Sequence, residues 1–127
     1  MAAQPVHLSI PAEPSSVRLA RLVAAGVAAD AGLSIDDTED LRIAVSELVA
    51  LLIEGSDDAV APAAITYRRS PGEVEVSGEY QCSSKTAGGP VDDLALEILR
   101  VVVDDHGFEV DGDTRRFHLV KRARSST

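Results

Sequence analysis

The stretch from Asp40 to Gly55 constrains this chain more than any other part of it. Leu41, Ala44, Val45, Leu48, Val49 and Leu52 recur at three- and four-residue steps, which places them on one face of an amphipathic helix directed at a core. Glu47 lies off that face. At about 100° per residue it forms a second ridge with Ile43 and Leu51, flanked by Glu54. A carboxylate between two large apolar side chains is either a solvated flank or the remnant of a site.

The elements around this helix follow from local patterning. Val6 to Ile10 alternates apolar and polar residues and stops at Pro11, a short strand with one buried face. Pro11 to Ser16 reads as a turn in which Ser15 or Ser16 caps a helix running to about Asp30. Leu19, Leu22, Val23, Gly26 and Val27 form its expected core stripe, with Ala20, Ala24 and Ala28 allowing close approach of a neighbour. Gly26 costs roughly 1 kcal/mol relative to Ala inside a helix, so tight packing is expected there. Gly32 ends this helix, and Ser34 with Asp37 makes an aspartate version of a capping box for the next, giving an antiparallel helix pair.

Beyond Gly55, Ser56 to Pro62 reads as a loop. Ile65 to Arg69 and Val74 to Gly78 are strands joined by Ser70-Pro71-Gly72, and Tyr80 to Pro90 is a loop of about a dozen residues, functional or mobile. Val91 to Asp104 is a third helix, apolar over so wide an arc that burial on more than one side is expected. Phe108 to Val110 and Arg115 to Val120 close the sheet as a hairpin around Asp111-Gly112-Asp113. The order predicts an α+β two-layer sandwich: a mixed, mostly antiparallel sheet of about five strands with three helices on one face. Residues 1–127 suit one domain, with a disordered tail from about residue 123.

Composition narrows the function classes. A formal charge of −9 argues against a general nucleic-acid or anionic-membrane binder and favours a basic protein partner. Arg68-Arg69, Arg115-Arg116 and Lys121-Arg122-Ala123-Arg124 are the basic clusters, expected on a solvated surface. Aromatics make up only 3% of the chain, so a nucleotide base finds few rings to stack on. The single cysteine, Cys82, excludes an internal disulfide and fits a reducing cytoplasm. No apolar run of ~18 residues spans a bilayer, and no secretory signal pattern opens the chain, so a cytoplasmic location is expected. His7, His106 and His118 have no neighbours at metal-site spacing.

Residues 41 to 55 resemble the first nucleotide-binding box of the histidine-kinase-like (Bergerat, GHKL) ATPases. The closest variety is the anti-sigma-factor serine kinases, whose helix reads roughly Ser-Glu-hydrophobic-hydrophobic-x-Asn-Ala-hydrophobic-x-His. Val45-Ser46-Glu47-Leu48-Val49-Ala50 matches it, and Glu47 falls on the family's base. The family's magnesium-binding Asn falls on Leu51, and a branched hydrocarbon has no lone pair for a hard cation. The second box, Asp-x-Gly-x-Gly, places its adenine-binding Asp on Tyr80. The third, a Gly-x-Gly that presents backbone N–H groups to phosphate, falls on Asp93-Leu94-Ala95, where an aspartate repels triphosphate.

His7 to Ala12 followed by Ser16 to Arg21 is similar to the first strand and helix of the same kinases. Arg21 falls on the arginine that in this family touches the sigma factor and its antagonist, and Arg18 stands beside it. The resemblance implies a homodimer formed around the first strand and helix, where Val6, Leu8 and Ile10 offer an apolar row. It implies a partner-switching regulator that binds a sigma factor or its antagonist, with the ATP and magnesium of the family expected to be lost. An active ATP-dependent serine kinase, and a homodimeric non-catalytic interaction domain with a changed partner, are the alternatives.

Overall fold

The computed structural model describes residues 4–55, 61–81 and 93–124. The chain runs β1 (Val6–Ile10), a 3₁₀ turn (Pro14–Ser16), α1 (Val17–Asp30), α2 (Ile35–Ile53), β2 (Ala63–Ser70), β3 (Glu73–Gln81), α3 (Asp93–Val102), β4 (Asp105–Asp111) and β5 (Thr114–Arg122). The strands form one sheet in the order β1-β2-β3-β5-β4, and all four ladders are antiparallel. Two-residue turns close both hairpins. Gly72 (φ +76°) and Gly112 (φ +61°) supply the left-handed residue that each needs.

The helices pack on one face of the sheet. Leu41, Ala44, Val45, Leu48, Val49 and Leu52 of α2 are each at most 1% exposed and meet Ile65, Tyr67, Val74, Val76, Phe117 and Leu119 from the sheet. The strands alternate accordingly. On the far face Glu79, Arg116 and Arg122 are exposed and pair across strands, Arg116 with Glu79 at 3.5 Å and Arg122 with Glu73 at 3.0 Å. With two phenylalanines and no Trp in the chain, the core has few rings to place. The Phe117 ring lies over Gly78 of the neighbouring strand, where an added Cβ would sit 2.2 Å from it.

α1 buries a different side from the one its large residues mark. Ala20, Ala24, Val27 and Ala28 are buried, whereas Leu19 and Leu22 are 49% and 59% exposed. Small side chains let α1 lie close to α2 and β2, and the Tyr67 hydroxyl reaches across to donate to the Ala20 carbonyl at 2.8 Å. Burial raises the pKa of that phenol. Gly26 is exposed, and a Cβ there would meet nothing within 4 Å, so tight packing does not explain it. Gly26→Ala should therefore stabilise the fold by about 0.5 to 1 kcal/mol through helix propensity and chain entropy. A urea melt showing no gain, or a loss, would refute this.

Other boundaries differ for identifiable reasons. Ser16 sits buried in the 3₁₀ turn and makes no side-chain cap; the turn itself takes up the Ser16 and Val17 N–H groups through Glu13 and Pro14. Ser34 does cap α2, accepting the Asp37 N–H at 3.1 Å. β3 continues through Tyr80 and Gln81 instead of ending in a loop at Tyr80, because both pair with β5. α3 buries Ala95, Leu99 and Val102 but leaves Leu94 and Val101 66% and 72% exposed; among the described elements α2 and β4 flank it most closely. Among the described residues of this helix, burial is confined to one side.

At the C-terminus, Ala123 N–H donates to Gly72 O at 2.7 Å and Arg124 N–H to Asp37 at 3.0 Å. The expected tail therefore begins with two hydrogen-bonded residues. Cys82, Gly88, Gly89 and the rest of the expected loop after Gln81 lie outside the described residues. No described helix is long and apolar enough to cross a membrane.

Candidate functional site

The seam between α1 and α2 brings together two of the candidate residues, Arg21 and Glu47. Ile43, Ser46 and Glu47 sit seven residues before Ala50, Ile53 and Glu54, so the two trios share one face of α2, two turns apart. Opposite them on α1, Arg21 and Val17 are one turn apart. Two separate clefts lie along this seam. The first, about 220 Å³, is lined by Arg21, Glu39, Arg42, Ile43, Ser46 and Glu47. The second, about 590 Å³, is lined by Ala12, Pro14, Val17, Ala50, Ile53, Glu54 and Gly55.

Charge concentrates in the first cleft and apolar surface in the second. Arg42 Nη1 donates to Glu39 at 2.7 Å, an i,i+3 pair on the helix surface. Ser46 donates its hydroxyl proton to the Arg42 carbonyl at 2.8 Å. Glu47 is half-buried between Ile43, which is 41% exposed, and Leu51, which is partly buried against the core. The structure thus brings Glu47 and Arg21 together, a juxtaposition no sequence spacing revealed. Arg18, one turn before Arg21 on the same helix, is exposed and outside the cleft.

Tyr80 and Asp93 do not join them. Tyr80 is 2% exposed on the helix-facing side of β3, directly opposite Arg115 of β5. Arg115 is also 2% exposed, contrary to the solvated surface expected for it. It alternates with the inward Phe117 and Leu119 and so enters the core layer. Its guanidinium lies 5.9 Å from the Tyr80 ring centroid, and Nη1 donates to the carbonyls of Leu52 at 2.9 Å and Glu54 at 2.7 Å. Those carbonyls end the helix that carries Glu47, so Arg115 acts as its C-terminal cap from a distant strand. Asp93 is exposed at the first described residue of α3. No group of three or more His, Cys, Asp or Glu side chains able to hold a metal occurs among the described residues.

The C-terminal basic cluster likewise sends one residue, Lys121, inward. Lys121, the next inward residue of β5 after Leu119, is 3% exposed and lies 3.6 Å from Asp37 and 3.4 Å from Asp40. Arg124 adds contacts of 3.6 Å to Asp37 and 2.8 Å to Asp40. Burial alone would raise the Asp37 pKa; the Arg124 amide, the Ser34 hydroxyl and the Lys121 charge outweigh it and hold the carboxyl below its usual range.

A helix pair and a third helix over one face of a five-stranded antiparallel sheet, with the Ser46-Glu47 helix at its centre, defines an ATPase-type sandwich. The chain belongs to the histidine kinase-like ATPase domain family, whose match runs from residue 10 to residue 124. Within that family it is similar to the serine-protein kinase RsbW of Listeria monocytogenes, 29% identical over 119 residues, 79% of this chain and 76% of the relative. A segment is closer to RsbW of Bacillus velezensis, 52% identical over 42 residues, 33% of this chain and 26% of that relative. In fold it resembles the crystal structure of the RsbU and RsbW domains of a Mycobacterium tuberculosis protein. The TM-score is 0.74 at 19% identity, over 98% of this chain and 35% of that one.

Proposed function

We propose that this protein is a partner-binding regulator of the anti-sigma-factor type, which captures a sigma factor or its antagonist through the α1/α2 seam and has lost nucleotide chemistry. The observation that carries this reading is the Tyr80–Arg115 pair. At the position where the resemblance puts an adenine-binding aspartate, a buried tyrosine is covered by a guanidinium bonded to the end of α2. Tyr80 and Arg115 occupy space between β3 and the C-terminal end of the Glu47 helix. Leu51 offers no oxygen to magnesium, and Asp93 sets a negative charge where phosphate would lie. These residues do not fit a magnesium nucleotide. Glu47 alone transfers no phosphoryl group, because that chemistry depends on metal-assisted charge stabilisation and positioning.

The partner surface is supported by different residues. Arg21 is half-buried beside the cleft while Leu19, Leu22 and Ile43 expose apolar side chains around it. A half-buried arginine is among the residue types enriched at interface hot spots. The acidic charge of the chain favours a basic target and faster encounter. A homodimer is part of the proposal, built on the edge position of β1. Val6 and Leu8 are half-buried against this chain's own core and Ile10 is 1% exposed, so that apolar row leaves mainly edge backbone and the α1 leucines for a dimer contact. The proposed setting is the cytoplasm, with no direct nucleic-acid or membrane role.

One set of measurements tests this. Millimolar ATP with magnesium should leave the melting temperature unchanged, whereas micromolar binding would contribute roughly 4 kcal/mol and several degrees. Capture from the native host should recover a sigma factor or an antagonist, with Arg21→Ala weakening that complex by about 2 kcal/mol or more. Light scattering of the same preparation should give a dimer mass at tens of micromolar. A nucleotide-dependent upward shift would favour the active-kinase alternative. Recovery of neither partner would sink the anti-sigma reading.

A further inference from the structure

Arg18, Leu19, Leu22, Gly26, Ala29 and Asp30 are the exposed residues of α1, and at about 100° per residue they fall within one arc of roughly 120°. They are also placed symmetrically along the helix. Leu22 and Gly26 lie two residues either side of Ala24, Leu19 and Ala29 five, and Arg18 and Asp30 six. Each pair joins opposites: a large side chain with none, a large side chain with a methyl group, a cation with an anion. A face built this way is complementary to itself turned end for end, which is the condition a two-fold contact must meet.

We infer that the outer face of α1 packs against the same face of a second copy of this chain, antiparallel, about a two-fold axis level with Ala24. This deepens the homodimer reading above by assigning its contact. Leu22 then lies over Gly26 of the second copy and Leu19 beside its Ala29. Gly26 supports the seam independently. It sits mid-helix at a cost, a Cβ there would meet nothing of its own chain within 4 Å, and Leu22 of the second copy enters that open space. Arg18 makes no ion pair among the described residues, and the end-for-end arrangement sets it opposite Asp30 of the second copy. Although Arg69 approaches Asp30 at 3.3 Å, the Asp30 side chain is 65% exposed. The occupant follows from charge. With one cation and one anion in a chain of net charge −9, this face presents no net repulsion to a second copy and no net attraction to a basic partner. Arg21 lies about 120° round the helix from the middle of the face, toward α2, and stays outside the seam. One helix pair buries less than a standard interface of ~1,600 Å², so monomer and dimer are expected to exchange in the micromolar range.

Sedimentation velocity across the micromolar range, at low salt so that surface charges are little screened, reads this seam. Wild type should pass from monomer to dimer, and Leu22→Glu, at an exposed position, should stay monomeric with its circular dichroism unchanged. Arg18→Asp and Asp30→Arg should each weaken the dimer about fivefold or more, since either one turns two cross-seam attractions into repulsions, and the double variant should return to within about twofold of wild type. Gly26→Ala should raise the dissociation constant severalfold even as the monomer gains stability. A dimer indifferent to Leu22→Glu and to both charge reversals would overturn the α1 seam and leave the homodimer reading to the β1 edge. Weakening by the single reversals without recovery in the double variant would overturn the antiparallel pairing. A monomer at every concentration would remove the seam and the homodimer reading together, without touching capture of a sigma factor or antagonist.

Discussion

Arg115→Ala should cost about 3 to 5 kcal/mol, a drop in melting temperature of roughly 10 °C or more for a chain of this size, whereas Arg115→Met should cost under about 1.5 kcal/mol. The alanine variant removes a large side chain that is 2% exposed, leaves a cavity under Tyr80, and strips the Leu52 and Glu54 carbonyls of their donor. Methionine refills most of the volume and removes a charge whose burial is itself costly, Nη2 having no hydrogen-bond partner among the described residues. The contrast between the two variants isolates volume from charge. Thermal melts of both, at matched pH and salt, provide the check. An alanine variant melting within about 3 °C of wild type would show that the Tyr80–Arg115 contact contributes little and that the space beside it is not held shut.

The same arginine illustrates what is legible in the sequence. The alternation of Phe117 and Leu119 is readable, and it sends Arg115 and Lys121 inward by parity. A pair of adjacent basic residues nevertheless suggests solvent, because burial of a cation depends on acceptors that lie far off in the chain, Leu52 and Glu54 for Arg115, Asp37 and Asp40 for Lys121. α1 shows the converse. Its large residues suggest the core face, yet Ala20, Ala24 and Ala28 with Val27 form a helical stripe of their own, and close approach of helix and sheet selects the small side rather than the large one. α2 is legible throughout, since its apolar period, its Ser34 cap and its buried face all agree. Of the candidate site, the positions of Glu47 and Arg21 on their helices are readable from spacing, but their meeting in one cleft depends on how α1 is rotated against α2. No local pattern encodes that rotation. Arg42 carries no signal for the same reason: on its own helix it reads as an ordinary surface partner of Glu39.

Asp37→Ala should destabilise the protein by about 2 to 3 kcal/mol at neutral pH, and Asp37→Asn should flatten the acid side of its stability profile. Asp37 joins three parts of the fold. Its N–H is the donor to the Ser34 cap of α2, its carboxylate accepts the Arg124 N–H at 3.0 Å, and it lies 3.6 Å from Lys121, which is 3% exposed. Loss of the carboxylate leaves that ammonium buried beside Asp40 alone, at 3.4 Å, which keeps the cost toward the lower end for a broken buried pair. The pH dependence has a fixed sign. Because the folded state holds Asp37 below its ordinary value of 3.8, the unfolded chain binds the proton more readily, so this contribution is complete well above that value and declines as pH falls through it toward the folded pKa. Denaturant melts from pH 7 down to pH 2.5 should show wild type losing stability more steeply below about pH 4 than Asp37→Asn does. Parallel acid limbs for the two proteins, or an alanine variant as stable as wild type, would mean that the C-terminal strand is held to α2 by packing and that the buried charges are incidental to it.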